Sequence, residues 1–302
     1  MGKDYELRGL RNPLVRTVLR FHRHYIWLRD PLSQFHLLDR FLDVAPEADL
    51  VIANGDYSCD CASVGISDNS TIQSVEECLG KLRTKFGAKL RLTIGDHELG
   101  KVSFFGGRGG MRLESWRRLG KVGLDPFWRV DAGNYVILGV TSSVIALPIF
   151  AADTLPEEKN EWEGLRQAHL EKIRETFGSL KADQRVLLFT HDPTALPFLA
   201  QDPIIGPKIH QIEQTIIGHL HSNLVLWKGR LLAGMPKLHF LGHSAKRFSA
   251  ALREARAWRR FRVRLCPALA GIELLKDGGF LTVRVDPNGK KPAAFQFHPL
   301  ER

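Results

Sequence analysis

Cysteine is scarce, with only Cys59, Cys61, Cys78 and Cys266 in 302 residues. A chain this long with so few cysteines is not held by a disulfide framework. The spacing of Cys59 and Cys61 is neither that of a zinc knuckle nor that of a redox pair, so the thiols are read as small packing groups. The opening MGKDYELRGLRN has no apolar core, which argues against a secretion signal. The longest apolar stretch, 135–150, is broken by Gly139, Ser142, Ser143 and Pro148. It reads as buried strands rather than a membrane span. There is no internal repeat and no low-complexity segment. Acidic residues are also in deficit, 33 against 43 Lys and Arg, for a net charge of +10. That surplus suits an anionic partner: phosphate, nucleic acid or an acidic membrane surface. No nucleic-acid module is present, and aromatic–basic interleaving is confined to the region of Trp258, so nucleic acid is the least favoured of the three. The expectation is a soluble, cytoplasmic protein, with peripheral contact to an acidic membrane left open.

What is present is an ordinary globular composition, 44% apolar and 25% charged. A chain of this length builds a sizeable core. Short apolar runs alternate with helix-like stretches. The runs are 49–54 (DLVIAN), 89–94 (KLRLTI), 135–140 (YVILGV), 185–190 (RVLLFT) and 214–217 (QTII). Helical periodicity covers 74–86 and 161–177. Such alternation predicts an α/β sheet layered with helices.

Four of the runs stop at a residue able to bind metal. Gly55-Asp56 follows the first, and Gly95-Asp96-His97-Glu98 the second. His191-Asp192 follows the fourth, and Gly218-His219-Leu220-His221 the fifth. Open α/β sheets place their sites beyond the carboxyl ends of their strands, so these residues are expected to converge. Carboxylates with imidazoles suit divalent Mn, Fe or Zn. Two such ions about 3.5–4 Å apart activate a water and clamp phosphate oxygens. A nearby imidazole not tied to metal protonates a leaving oxygen. Glycine before a ligand allows a sharp turn and close approach.

In order and spacing these motifs resemble those of the calcineurin-like metallophosphoesterases: DxH, GDxx, GNH[DE], a single His, then GHxH. The resemblance implies a four-layer α-β-β-α sandwich and two divalent metal ions, Mn foremost, with Fe or Zn as alternatives. It implies that Asp56 bridges both ions, that Asp96, His191 and His219 bind one, and that His221 binds the other. His97 would be the acid. Two departures stand out. Asp96 occupies the place of the family's Asn, which adds a negative charge to the site. The DxH motif is represented by Asp30-Pro31-Leu32, so Asp30 is a candidate ligand and Leu32 replaces the His. His22, His24 and His36 are the histidines near enough in sequence to compensate.

Several residues keep two readings. Asp192 either orients a ligand from behind or starts a turn with Pro193, and His243 is a further site candidate. Arg108, in Gly106-Gly107-Arg108-Gly109-Gly110, is a candidate substrate-phosphate ligand on a flexible loop. The segment 248–261 (FSAALREARAWRRF) is a helix docked on the core with a solvated arginine face, or an interfacial helix touching acidic lipid. The alternating 280–285, the turn at 286–289 and a strand at 294–298 predict a hairpin that extends the sheet. Together these features describe one metallophosphoesterase domain over 1–302 with a basic helical elaboration near 242–275. The expected activity is hydrolysis of a phosphomonoester, phosphodiester or pyrophosphate. The alternatives are a non-catalytic binding or scaffold protein on the same fold, a membrane-surface pyrophosphatase resembling the UDP-diacylglucosamine hydrolases, and a nuclease.

Overall fold

The computed structural model describes residues 12–27, 35–57, 64–101, 109–236, 249 and 251–301. Asp30, Leu32, Cys59, Cys61, Arg108 and His243 lie outside the described residues.

The chain is mixed α/β around a mostly parallel sheet. Helix α1 (Pro13–His22) runs into a π turn at Arg23–Trp27, and α2 (Phe35–Val44) leads to strand β1 (Val51–Asn54). Helix α3 (Asn69–Phe86) crosses to β2 (Leu90–Thr93), which pairs with β1 in parallel. The Asp68 carboxylate caps α3 by accepting from the N–H groups of Ser70 and Thr71, so α3 starts five residues before its apolar periodicity does. Two short helices follow, α4 (Asp96–Leu99) and α5 (Leu113–Arg118).

The central sheet has the order β3-β4-β5-β6-β7, with β3 (Phe127–Ala132), β4 (Tyr135–Val140), β5 (Arg185–Thr190), β6 (Ile212–Ile217) and β7 (Val263–Leu265). The pair β3–β4 is antiparallel and the rest are parallel. Gly133, at φ 62°, opens the two-residue loop between β3 and β4. The helices between these strands are α6 (Ser142–Ile145), α7 (Leu147–Phe150), α8 (Lys159–Gly178), α9 (Leu196–Gln201) and α10 (Asn223–Leu231).

Side-chain alternation assigns each strand face a different neighbour. Val136, Leu138, Val186 and Leu188 point to Ile173 and Phe177 of α8 and to Leu196 of α9. Tyr135, Ile137, Leu187 and Phe189 form a second core with Ile52 of β1, and Val283 and Phe295 pack on it. Val51 and Ala53 point the other way, toward Val75, Leu79 and Leu82 of α3. Each large side chain so buried contributes about 1.5–3 kcal/mol. The Trp128 indole N–H donates to Leu92 O at 3.0 Å and ties β3 to β2 across the middle core.

Three features differ from the sequence expectation. Strand β3 was not foreseen, because Arg129 and Asp131 interrupt its apolar pattern. Strand β7 is only three residues long, too short to show a period. The hairpin forms from β8 (Gly279–Arg284) and β9 (Ala294–Pro299), but it is a separate two-stranded sheet and does not extend the central one. It joins the middle core by packing, through Val283 and Phe295.

The described part of the basic segment, 251–261, takes the first of its two readings. Leu252 is buried, and Ala255, Trp258 and Phe261 belong to the core beside α9 and β7. Arg253, Arg256, Arg259 and Arg260 are exposed. Among the described residues, no helix is long and apolar enough to cross a membrane.

Candidate metal centre

The parallel strands β1, β2, β5 and β6 deliver their carboxyl-end residues to one place. Donor atoms of Asp56, Asp96, His191 and His219 all lie within 4.8 Å of one another. Backbone geometry makes this approach possible. Gly55 and Asp56 both adopt positive φ, 90° and 60°. A Cβ on Gly55 would stand 2.6 Å from the Gly95 nitrogen and 2.7 Å from His191 Nδ1, so no other residue fits there. Asp56 itself holds a left-handed conformation that non-glycine residues adopt at a cost, a common feature of built sites.

Glu98 locks the two loops together. Its Oε2 accepts the N–H groups of Gly95 (2.8 Å) and Asp56 (3.0 Å), and its Oε1 accepts that of Tyr57 (2.8 Å). The Asp56 carboxylate in turn accepts the His97 N–H at 3.2 Å. The Tyr57 hydroxyl reaches the carbonyls of Thr93 and Ala53 at 2.7 and 2.9 Å, at the feet of the same two loops.

His191 is oriented from behind. Its Nδ1 lies 2.6 Å from Asn54 O, and a carbonyl only accepts, so Nδ1 carries the proton. Nε2 therefore faces the cluster, as in a ligating imidazole whose other nitrogen is held by a backbone carbonyl. It is 3.0 Å from Asp56 Oδ2 and 3.4 Å from Asp96 Oδ1, yet it is buried with hydrogen-bond geometry to neither. His219 turns Nδ1 to Asp96 Oδ1 at 3.2 Å and Nε2 toward Asp192 Oδ2 at 3.8 Å. Asp192 starts the turn after β5, where its Oδ1 accepts the Thr194 N–H at 2.8 Å, and its approach to His219 is longer than a hydrogen bond. His97 Nε2 stands 3.8 Å from Asp56 Oδ2 at the edge of the group. His221 is outside the four-donor group, and its Nδ1 is buried without a hydrogen-bond partner. Its ring lies 5.3 Å from that of Trp27, at the end of the π turn. His22 and His24 are exposed and take no part in the group.

The charges are strongly perturbed. Burial opposes ionisation of Asp56, but the imidazoles of His191 and His97 outweigh it and hold its pKa well below the carboxylate range. Burial also opposes ionisation of Asp96, and Lys101 and then His219 outweigh that. Lys101 Nζ sits 3.0 Å from Asp96 Oδ2. For His191, burial disfavours the charged form, while the facing carboxylates of Asp56 and Asp96 push its pKa well above 6.5. Burial, then the charge of Asp56, pushes Glu98 up to about 7. Burial pushes His221 down to about 3. A divalent cation competes with the proton on His191 for these same carboxylates.

The donor set fits a metal ion. It combines two carboxylates with two imidazoles, and a buried ring nitrogen is aimed among them without a hydrogen bond. Three contributors escape a sequence reading: Glu98 as loop lock, Lys101 as counter-ion and Trp27 as cover for His221. Only Glu98 carries a local signal, since it stands three residues after Gly95 at a helix start, the reach-back half of a capping box.

No family profile and no curated protein matches the chain. Among solved structures, phosphopantetheinyl hydrolase from Mycobacterium tuberculosis is similar over 67% of this chain and 80% of its own, at 16% identity and a TM-score of 0.35. Likeness of that degree decides neither fold nor chemistry, which rest here on the residues themselves.

Proposed function

We propose that this chain is a metal-dependent hydrolase of phosphate esters or anhydrides, a single α-β-β-α domain of the metallophosphoesterase type acting in the cytoplasm. The observation that carries the proposal is the approach of Asp56, Asp96, His191 and His219 to within 4.8 Å, with His191 Nε2 buried among the carboxylate oxygens. These four residues would hold one ion, for which Mn is the first candidate and Fe or Zn the others. A second ion would draw on Asp56, His221 and a donor such as Asp30. Bound there, a divalent cation would acidify a water and offset charge on phosphoryl oxygens. The remaining work falls to the chain. Asn54 O holds the His191 tautomer. Glu98 fixes the Asp56 and Asp96 loops in register. His97, beside Asp56 and not in the ligand group, donates a proton to the departing oxygen. Lys101, together with Arg108 on its glycine loop, adds cationic charge toward an anionic substrate.

The second reading, a binding protein that has lost the chemistry, draws on the Lys101–Asp96 ion pair. An ammonium in that position supplies part of the charge a metal would bring.

Metal counting separates the two. Protein stripped and reloaded with Mn²⁺ should retain metal after desalting, and Asp56→Ala should retain none. The loaded protein should hydrolyse bis-p-nitrophenyl phosphate or p-nitrophenyl phosphate, and His97→Ala should lower turnover by about 10²–10⁴-fold while keeping its metal. Absence of metal above the Asp56→Ala control would overturn the hydrolase assignment.

A further inference from the structure

Of the exposed large apolar side chains among the described residues, all but Val44, Ile204 and Phe297 lie on three elements: α1 with its π turn, the loop 271–277, and α10 with its C-cap Leu232. In α1 the residues Leu14, Val18 and Phe21 fall within an arc of about 60° at helical spacing, and Tyr25 of the π turn follows them. The rings of Phe21 and Tyr25 confirm the shared face at 4.8 Å. Leu19 alone in α1 is buried. The tip of the loop presents Leu274 and Leu275 beside the exposed Lys276. In α10, Leu224, Trp227 and Leu231 also share a face.

These elements meet at the candidate centre. The N–H groups of Glu273 and Leu274 donate to Trp27 O and Ile26 O at 2.9 and 3.2 Å, joining the loop to the end of α1. The Trp27 ring faces His221, and α10 begins two residues after His221, capped by the Ser222 hydroxyl at 3.2 Å from Leu224 N. The exposed charge on the two helices has one sign, and the loop adds the exposed Lys276 with the half-buried Glu273 and Asp277. Arg16 and Arg20 lie on the side of α1 opposite its stripe, and Lys228 flanks that of α10. Neither helix contains an Asp or Glu.

We propose that these three elements form a docking surface for an anionic lipid bilayer, with the candidate centre at its border. A helix with an apolar stripe, an arginine-bearing back and no acid lies in the headgroup region of such a surface, and Tyr25 and Trp227 are side chains suited to its boundary. A second copy of the chain fits less well, because it would bring like charges together. An arginine-rich composition alone does not explain the assignment. The arginines at 253–260 are equally exposed, but their apolar partners are already buried in the core. The consequence for substrate rests on the phosphoesterase reading: a phosphate ester or pyrophosphate of an amphiphile, whose chain stays in the lipid while its phosphoryl group reaches the centre.

The test is flotation of the full chain with vesicles of phosphatidylcholine alone, or mixed in equal parts with phosphatidylglycerol. Binding to the anionic vesicles only, weakened by raised salt, is expected. The double variant Leu14→Glu/Phe21→Glu should bind about 100-fold more weakly, and Arg16→Glu/Arg20→Glu about tenfold or more. Both should melt as the parent does and keep its metal count, because the altered side chains are exposed and outside the centre. Failure to bind either vesicle, or equal binding by parent and Leu14→Glu/Phe21→Glu, would overturn the proposal. So would a dimer in solution that this variant dissolves while vesicle binding is absent. Retained vesicle binding by a chain that takes up no metal would leave the surface standing and remove the hydrolase.

Discussion

Two regions invert the usual distribution of polar and apolar side chains, in opposite senses. At the candidate centre Glu98 is 0% exposed and His191 2%, whereas on α1 Leu14 is 75% exposed and Val18 66%. Soluble folds tolerate either inversion only with a reason. The buried polar set is answered from within: Glu98 takes three backbone N–H groups, and Asn54 holds His191. The buried atoms left without a hydrogen bond include His191 Nε2 and His221 Nδ1, which an ion can use. The exposed apolar set is answered by nothing in the described chain. One region is prepared for a small cation, the other for an extended surface.

The contrast is broken most sharply by truncating one aromatic of each kind. Phe261→Ala, in the core beside β7, should cost about 3–5 kcal/mol in denaturant unfolding. Phe21→Ala should stay within about 0.5 kcal/mol, because its ring is 58% exposed and its ring contact is with the equally exposed Tyr25. A large loss from Phe21→Ala would mean that α1 packs in solution on something within the chain.

A smaller effect is expected at Glu98. In Glu98→Gln an amide N–H₂ must face a backbone N–H, so the loops carrying Asp56 and Asp96 lose their common anchor. Metal affinity, read by competition with a chelator, should fall about 10–100-fold. Unchanged affinity would show that the loops hold their register without it.

The smallest effect compares two buried imidazoles. Burial, with Lys172 adding to it, pushes His169 down to about 3, whereas the carboxylates push His191 up. His169 stays neutral and accepts the Thr141 N–H at 3.1 Å. The unfolded chain protonates this residue near 6.5, so its contribution is whole above that pH. It is lost as pH falls from 6.5 toward 3, by about 2 kcal/mol at pH 5. His169→Gln should flatten the dependence of unfolding midpoint on pH across that window. An identical acid slope in the variant would place the proton elsewhere.

Much of the site was legible because its pieces are local. Gly55-Asp56, Gly95-Asp96 and Gly218-His219 each announce a sharp turn with a donor after an apolar strand, and strand order in a parallel sheet brings such turns to one edge. Less legible were residues whose role depends on partners far along the chain. Glu98 matters through Tyr57, and Trp27 through His221. The strand β7 was hidden for a similar reason: three residues have no period, and pairing with β6 alone makes them a strand.

The two arginine-bearing amphipathic segments mark the boundary between chain and fold. At 13–27 and at 248–261 the residue pattern states the same local fact, that one side is apolar and the other basic. Periodicity along a helix reports that a face needs cover, since 3.6 residues per turn is a property of the backbone alone. Which face receives cover depends on what the rest of the chain brings to it. Around Trp258 and Phe261 the strand β7 and helix α9 close over the apolar side. Around Phe21 no described element does, and the stripe stays open to whatever the protein meets.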